Sequence, residues 1–206
     1  MDADAVEIRV LGCLIEKQRT TPDVYPLSLN ALRLACNQST NRDPVVEYDD
    51  ATIRAALDRL SRKGWARLAS GAGSRAAKFR HLLSEALGLS AAEQALLAVL
   101  MLRGPQTPGE LRQRSERLHS FASPAELEVT LSALVERGLV TRLPRQPGQK
   151  EQRFRQLLGG DEAARDHAAR APDAPDATRS QGDVETRLAA LERRIDALER
   201  ELHGSE

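Results

Sequence analysis

The 206-residue sequence has few aromatic residues, few cysteines and no long hydrophobic run. Phe, Trp and Tyr make up 3% of the chain, which disfavours an all-β sandwich and an aromatic platform that stacks single-stranded nucleic acid. Two cysteines do not make a disulfide framework, which favours a cytoplasmic protein with reduced thiols. No apolar run reaches the roughly 18 residues of a membrane span. The first ten residues lack a basic region before an apolar core, so we expect no secretory signal.

Charge of one sign is not in excess, because 30 Lys and Arg residues balance 30 Asp and Glu residues. Zero net charge excludes a wholly basic nucleic-acid coat protein, but it allows a local basic patch. Hydrophobic residues make up 41% and charged residues 29% of the chain, which is typical of a globular protein.

The residue types that carry catalysis are scattered. Cys13 lies among leucines of a predicted first helix, where we expect a buried small hydrophobe. Cys36 ends a second helix, and a redox-sensing role, the less favoured interpretation, requires an exposed thiol of low pKa. The four histidines show no zinc-binding spacing, and no phosphate-binding glycine loop is present. We therefore predict a protein that is not an enzyme and that uses no cofactor and no metal.

One structural unit occurs twice in the sequence. Each copy is predicted to form an amphipathic helix, a glycine where a left-handed residue ends the helix, a strand, a polar turn and a second strand. The first copy places its strands at 65–68 and 78–81 around a turn at 70–74, and the second copy turns at 144–148. The matching pairs are Leu57 and Leu131, Leu60 and Leu134, Gly64 and Gly138, Phe79 and Phe154, and Arg80 and Arg155.

Two further helices are predicted ahead of each copy. In the first copy they lie near residues 4–17 and 28–36. In the second copy, Ser90, Thr107 and Ser123 are each followed three residues later by Glu, so each is predicted to open a helix with a capping box. The order helix, helix, helix, hairpin predicts a mainly α fold with small β-hairpin wings. It consists of two tandem winged helix-turn-helix domains, at 1–85 and 86–159, which we expect to share an interface because each is small.

The composition changes after Gly159. Residues 160–183 are predicted to form a disordered linker, because they are rich in Ala, Asp, Arg and Pro and contain no large apolar side chain. Residues 184–203 then repeat apolar side chains at steps of four and three, which predicts an amphipathic, coiled-coil helix. The sequence supports two roles for this helix equally. It forms a weak homodimer or binds a partner, or it docks on the domains of its own chain. The apolar positions are Val184, Leu188, Leu191, Ile195, Leu198 and Leu202.

Basic residues concentrate in the first copy, where Asp58 is the one acidic residue from position 51 to position 81. In a winged helix the third helix normally enters the major groove of DNA and the wing lies along the phosphate backbone. We therefore predict that these basic residues bind double-stranded DNA. The alternatives are that they form a solvated face, or that they form ion pairs with acidic residues of the tail or of the second copy. The predicted contact residues are Arg54, Arg59, Arg62, Lys63, Arg75 and Lys78, with Arg67 and Arg80 in the same stretch.

The second copy departs from this pattern, because Glu128 and Glu136 occupy the positions of Arg54 and Arg62. An anionic helix repels phosphate. We therefore predict that the first copy faces nucleic acid, while the second packs against the first copy, a second subunit or a protein partner. The alternative function is a non-catalytic scaffold that uses winged-helix domains to bind other proteins.

A polar segment in the first copy stands apart from generic winged helices. Its Asn and Gln side chains suit the recognition of adenine, or they cap a helix end and tie a long turn, which we favour. The residues in question are Asn30, Asn37, Gln38, Asn41 and Arg42. The surrounding segment, residues 25–46, reads YPLSLNALRLACNQSTNRDPVV.

This segment, together with the opening LGCLIEKQRTTPDV and the helix–glycine–strand unit that follows, resembles the YceH-like family of bacterial proteins. The resemblance runs from about Val6 to Leu158. It implies a tandem winged-helix fold and carries over no catalytic or binding residue, so the site prediction depends on charge and geometry alone.

Overall fold

A computed structural model describes residues 2–69, 76–145 and 151–159, which all belong to one compact unit. These residues form seven α-helices and two small antiparallel sheets. The predicted linker and coiled-coil segment lie outside the described residues, as do the tips of both predicted hairpins. In the described ranges, no helix combines the length and the hydropathy needed to span a membrane.

The first half contains three helices and a three-stranded sheet. Strand β3 lies between β1 and β2 and is antiparallel to both, with Leu27 opposite Phe79 and Ala66 opposite His81. Strand β1 is an addition to the predicted hairpin. The elements are α1 (Ala5–Thr20), a 3-10 turn (Pro22–Val24), β1 (Leu27–Ser28), α2 (Leu29–Cys36), α3 (Asp50–Arg62), β2 (Ala66–Leu68) and β3 (Lys78–His81).

The second half has the same order of elements after a short connecting helix. Strands β4 and β5 pair antiparallel, and Gln106 forms an isolated bridge to Phe154 of β5. This bridge precedes the second helix of its half, as β1 precedes α2. The elements are α4 (Leu83–Leu87), α5 (Ala91–Arg103), α6 (Pro108–Ser115), α7 (Pro124–Glu136), β4 (Val140–Arg142) and β5 (Phe154–Gln156).

The helix starts follow the capping signals of the sequence with one exception. The capping boxes at Ser90 and Thr107 are confirmed. The prediction of a third capping box at Ser123 is wrong in one hydrogen bond. Ser123 Oγ accepts the N–H of Glu126 at 3.2 Å as expected, but the Glu126 carboxylate accepts the N–H of Ala122 instead of that of Ser123. Ser123 has a φ of −148°, against −68° and −75° at the other two caps, so its backbone approaches the helix differently.

The turn from helix to strand is the same in both halves. Gly64 and Gly138 have φ values of 72° and 65°, which confirms the predicted left-handed positions. The next residue donates its N–H to a carbonyl five residues earlier, from Trp65 to Leu60 at 2.9 Å and from Leu139 to Leu134 at 3.0 Å. Both turns are therefore Schellman motifs, which satisfy carbonyls at the end of the helix.

The two halves share one hydrophobic core, as predicted, and α1 and α5 lie at its centre. The helices approach closely at Gly12, where an added Cβ atom would lie 3.0 Å from the side chains of Leu102 and Met101. Residues 7–15 of α1 are buried without interruption, as are residues 93–102 of α5. Burial on all sides favours apolar residues, which fill positions 10–15 of α1 and 95–102 of α5, while the buried Arg9 of α1 donates to the Cys36 carbonyl at 3.0 Å and the Pro44 carbonyl at 2.5 Å.

Side chains fix the loop that follows α2. The Arg42 side chain is fully buried and reaches α1, where its Nη1 and Nη2 atoms lie 3.1 and 2.6 Å from the two oxygens of Glu16. Arg42 also donates to the Ala35 carbonyl at 3.0 Å and to Gln38 Oε1 at 2.8 Å. Asn37 exchanges two 2.9 Å hydrogen bonds with the backbone of Tyr48. The structural interpretation of Asn37, Gln38 and Arg42 is therefore confirmed.

We expect Gly12→Ala to destabilise the protein, because overpacking of a core costs about 1–3 kcal/mol and outweighs the roughly 1 kcal/mol that alanine adds in a helix. Gly109→Ala in α6 is the matched control, since the nearest atom to its added Cβ lies 4.0 Å away. Urea denaturation should give a lower free energy of unfolding for Gly12→Ala than for Gly109→Ala. Equal values would contradict a close contact at Gly12.

Arg42→Met should lower the free energy of unfolding by about 3–5 kcal/mol, because it leaves the Ala35 and Asn41 carbonyls without this donor and leaves Glu16 with Lys17, at 3.5 Å, in place of a buried guanidinium. The control is Arg33→Met, which removes a 2.9 Å ion pair to Asp50 between two half-exposed side chains. Surface pairs of this kind are worth about 1 kcal/mol or less. Thermal or chemical denaturation that ranked Arg33→Met as the more damaging change would contradict the tie between Arg42 and Glu16.

The His81 side chain at the end of β3 is buried, and its Nε2 atom lies 2.7 Å from Gln18 Oε1. Among the described residues, its Nδ1 atom has no hydrogen-bond partner. Burial lowers the pKa of His81 to about 4, since the charged ring would lose its hydration.

The unfolded chain binds a proton at His81 near pH 6.5, whereas the folded chain does so near pH 4. The unfolded state therefore binds more protons between these values, and stability falls as pH is lowered through this window. We expect His81→Gln to reduce the difference between the free energies of unfolding at pH 7 and pH 4 by up to about 3 kcal/mol. Urea denaturation at a series of pH values from 4 to 7 measures this difference. Glu85 and the other charged groups near residue 81 are present in both the parent and the His81→Gln variant, so their contribution cancels in the comparison. An unchanged pH slope would show that His81 does not contribute.

Candidate nucleic-acid interface

Helix α3 buries one face and exposes the other, as its apolar spacing predicted. Ile53, Leu57 and Leu60 are buried in the shared core. The helix begins at a cap in which Asp49 Oδ1 accepts the N–H of Thr52 at 2.8 Å. The exposed residues of the outer face are Ala51, Arg54, Ala55, Asp58, Ser61 and Arg62.

Four cations on α3 and its hairpin are exposed and form no ion pair within the described part of the chain. We call these residues the open cations. Arg54 and Arg62 belong to α3, Arg67 to β2 and Lys78 to β3. Asp58 lies between the two α3 arginines in sequence but forms an ion pair with neither of them. The full positive charge of these four side chains therefore faces solvent.

Arg59 and Lys63 lie in a different environment, against the first turn of α1. Arg59 Nη2 lies 2.6 Å from an oxygen of Asp4, and its Nε atom lies 3.6 Å from Glu7. Lys63 Nζ lies 2.6 Å from Glu7 Oε1 and donates to the Asp2 carbonyl at 3.0 Å. The Glu7 side chain is almost fully buried. These two cations are thus neutralised inside the first half and stabilise the packing of α3 on α1.

The partners of Arg59 and Lys63 differ from both alternatives that the sequence offered. The acids come from neither the tail nor the second copy but from the N-terminal end of α1. A signal for them was present and missed: Asp4 and Glu7 form a capping box at the start of α1. Arg80 is also paired, with Glu85. Arg75 lies outside the described residues.

Helix α7 of the second half presents an acidic outer surface. Glu128 and Glu136 are exposed, whereas Leu127, Leu131 and Leu134 are buried. Val129 lies beside Glu128 and is 70% exposed. The equivalent helices of the two halves therefore present opposite charges to solvent.

The two thiols are both inaccessible. Cys13 and Cys36 are free and have no exposed surface, which confirms the prediction for Cys13. The exposed thiol that a redox-sensing role of Cys36 requires is not found, because Cys36 is buried in the shared core. In the described ranges, no group of three or more His, Cys, Asp or Glu side chains is arranged to hold a metal ion.

Comparison with known proteins gives consistent matches over most of the chain. The family described as "Protein of unknown function, DUF480" matches residues 3–149. A UPF0502 protein of Pelobacter propionicus is 52% identical over 198 residues, which is 95% of this chain and 90% of the relative. A UPF0502 protein of Geotalea uraniireducens is 50% identical over 96% of this chain and 90% of its own length.

A UPF0502 protein of Shewanella amazonensis is 46% identical over 208 aligned residues, covering 97% of this chain and 99% of the relative. These matches include the polar segment and the repeated unit on which the YceH-like resemblance depends. Because the family match covers most of the described residues and the relatives align over nearly their whole length, the chain belongs to the DUF480 (UPF0502) family of bacterial proteins.

Proposed function

We propose that the protein binds double-stranded DNA through α3 and the β2–β3 hairpin, and that each half is a winged helix-turn-helix. The observation that carries the proposal is the set of open cations on α3 and its hairpin. The order of three helices followed by a hairpin supports the winged-helix assignment in both halves. The third strand contact before α2 and before α6 supports it further.

The spacing of the open cations suits a duplex. Arg54 and Arg62 are eight residues apart on α3, about 12 Å along the helix axis. The major groove is about 12 Å wide and admits an α-helix, so an α3 helix that entered it would carry one arginine near each end from which to reach backbone phosphates. Arg67 and Lys78 add charge on the hairpin that follows α3, where a wing contacts the backbone.

Arg59 and Lys63 act as positioning residues in this proposal. Their ion pairs to Asp4 and Glu7 hold α3 against α1, so they set the angle at which α3 is presented. Reversing their charge would place like charges beside the buried Glu7 and disturb the fold. They are therefore unsuitable as tests of DNA contact, whereas Arg54 and Arg62 are exposed and carry no such structural role.

The second candidate function is a protein-interaction scaffold, and the surface of α7 favours it. Glu128 and Glu136 repel phosphate, while the 70% exposure of Val129 offers an apolar contact beside the carboxylates. This combination suits a basic, amphipathic protein segment better than DNA. Both functions are non-catalytic and fit a cytoplasmic protein.

We further propose that the protein forms a homodimer through the heptad pattern of residues 184–203. Two copies joined by a coiled coil would bring two α3 helices to one duplex, as in dimeric helix-turn-helix proteins. The positions that would form the seam are Leu188, Leu191, Ile195, Leu198 and Leu202.

The test first uses the full chain to select a DNA duplex from a library of random sequences. The affinity of the protein for that duplex is then measured at a series of salt concentrations. Neutralising phosphates gives a slope of log K against log salt of about −0.9 per contact. Arg54→Gln with Arg62→Gln should therefore weaken binding and reduce the slope by about 1.8, with the fold unchanged by circular dichroism. Fluorescence anisotropy is a suitable readout.

Glu128→Gln is the matched control, because it changes one exposed charge on the equivalent face of α7. It should leave the affinity and the salt slope unchanged. If the double Arg variant bound DNA as the parent does, or if Glu128→Gln alone abolished binding, the proposed role of α3 would be wrong. Selection that yielded no duplex would likewise overturn it and favour the scaffold.

A further inference from the structure

A contact between the loop after α2 and the end of α5 joins the two halves at the polar segment that the sequence singled out. The Arg103 side chain donates a hydrogen bond to Asn41 Oδ1, and the N–H of Asp43 donates to the Leu102 carbonyl at 2.8 Å. Asn41 has a φ of 61°, a left-handed conformation that asparagine tolerates. Arg42, buried and bound to Glu16, holds this loop in place. We call this contact the junction.

Positive charge exceeds negative charge around the junction. Glu16 is bound by Arg42, and Glu110 is shared by Arg114 at 3.4 Å and Arg153 at 3.1 Å. Four guanidinium groups, those three and Arg103, and Lys17, which lies 3.5 Å from Glu16, therefore stand against these two carboxylates and the exposed carboxylate of Asp43 in the same loop.

Arg103 is the member of this group without a carboxylate. Among the described residues, its hydrogen bond goes to the neutral amide oxygen of Asn41. Burial, and then the nearby charges of Arg114 and Arg42, lower the pKa of Arg103. A partly buried cation crowded by like charges has a cost in free energy that a bound anion would offset.

The junction offers several donors to such an anion. A guanidinium group has five N–H donors, and Arg103 uses one of them on Asn41. Ser39 and Thr40, just before Asn41 in the loop, are exposed and carry hydroxyl groups. Arg112 and Arg117, in and just after α6, are exposed and form no ion pair in the described ranges, and the exposed Glu116 lies beside Arg117 in sequence.

We propose that the junction is a phosphate-binding site, with Arg103 as its main ligand and Arg114 as a second cation. Guanidinium groups bind phosphate oxygens through paired, charge-assisted hydrogen bonds, and this favours phosphate over a spherical anion such as chloride. The phosphate belongs either to a nucleic-acid backbone or to a free phosphate compound. The site goes beyond the proposed role of α3, because its ligands lie on α5 and α6 of the second half.

The first arm of the test titrates the full chain with inorganic tripolyphosphate in calorimetry. The parent should bind one equivalent, and Arg103→Gln should weaken the binding at least tenfold. Asn41→Asp is a second variant that keeps the side-chain size and the hydrogen bond but places a carboxylate on Arg103, so it should weaken binding to a similar extent. Arg19→Gln, which removes an exposed arginine in the last turn of α1 that forms no ion pair in the described ranges, should stay within twofold of the parent.

The second arm repeats the salt titration of duplex binding with Arg103→Gln. A slope reduced by about 0.9 identifies the ligand as a backbone phosphate, whereas an unchanged slope with impaired tripolyphosphate binding identifies a free phosphate compound. No tripolyphosphate binding by the parent, or equal effects of Arg103→Gln, Asn41→Asp and Arg19→Gln, would overturn the site.

The two proposals fail in distinguishable ways. Arg54→Gln with Arg62→Gln should leave tripolyphosphate binding intact, since neither residue contacts the junction. Failure of the α3 proposal would appear as unchanged duplex binding in that double variant. Failure of the junction proposal would appear in the tripolyphosphate titration, which does not depend on α3.

Discussion

The close packing of α1 on α5 is the contact on which the rest of the structure depends. Each half is too small to bury much apolar surface alone, and each contributes one helix that is buried on nearly all sides. Gly12 permits this contact, because a side chain at that position would meet Leu102 and Met101. With the two helices fixed, the surfaces of both halves are fixed relative to one another. The repeat is thus a single folded unit and not two independent modules joined by a linker.

The N-terminal turn of α1 divides the cations of α3 into two groups. Asp4 caps α1 and pairs with Arg59, while the buried Glu7 completes the cap and pairs with Lys63. The same carboxylates that start one helix therefore dock another. The charges left for a ligand are fewer and more widely spaced than the basic composition of residues 51–81 indicates.

The polar loop after α2 illustrates how a recognisable motif can have a structural role and still expose chemistry. Its buried members hold the loop, since Asn37 ties it to Tyr48 and Arg42 ties it to α1. An exposed member, Asn41, meets Arg103 from the other half. The motif therefore serves the junction between the halves. Direct reading of bases by these side chains is not needed to explain their presence.

The sequence by itself determined the features that depend on neighbours a few residues apart. Helix caps, the Gly64 and Gly138 turns and the apolar faces of α3 and α7 were predictable, because each involves contacts within about five positions along the chain. Tertiary structure alone decided which cations are open and which are paired. Arg59 and Asp4 are separated by 55 positions, and Arg103 and Asn41 by 62. An arginine has the same local pattern whether its partner is water, a carboxylate or a phosphate, so only the packing of α1 against α3 and α5 distinguishes these outcomes.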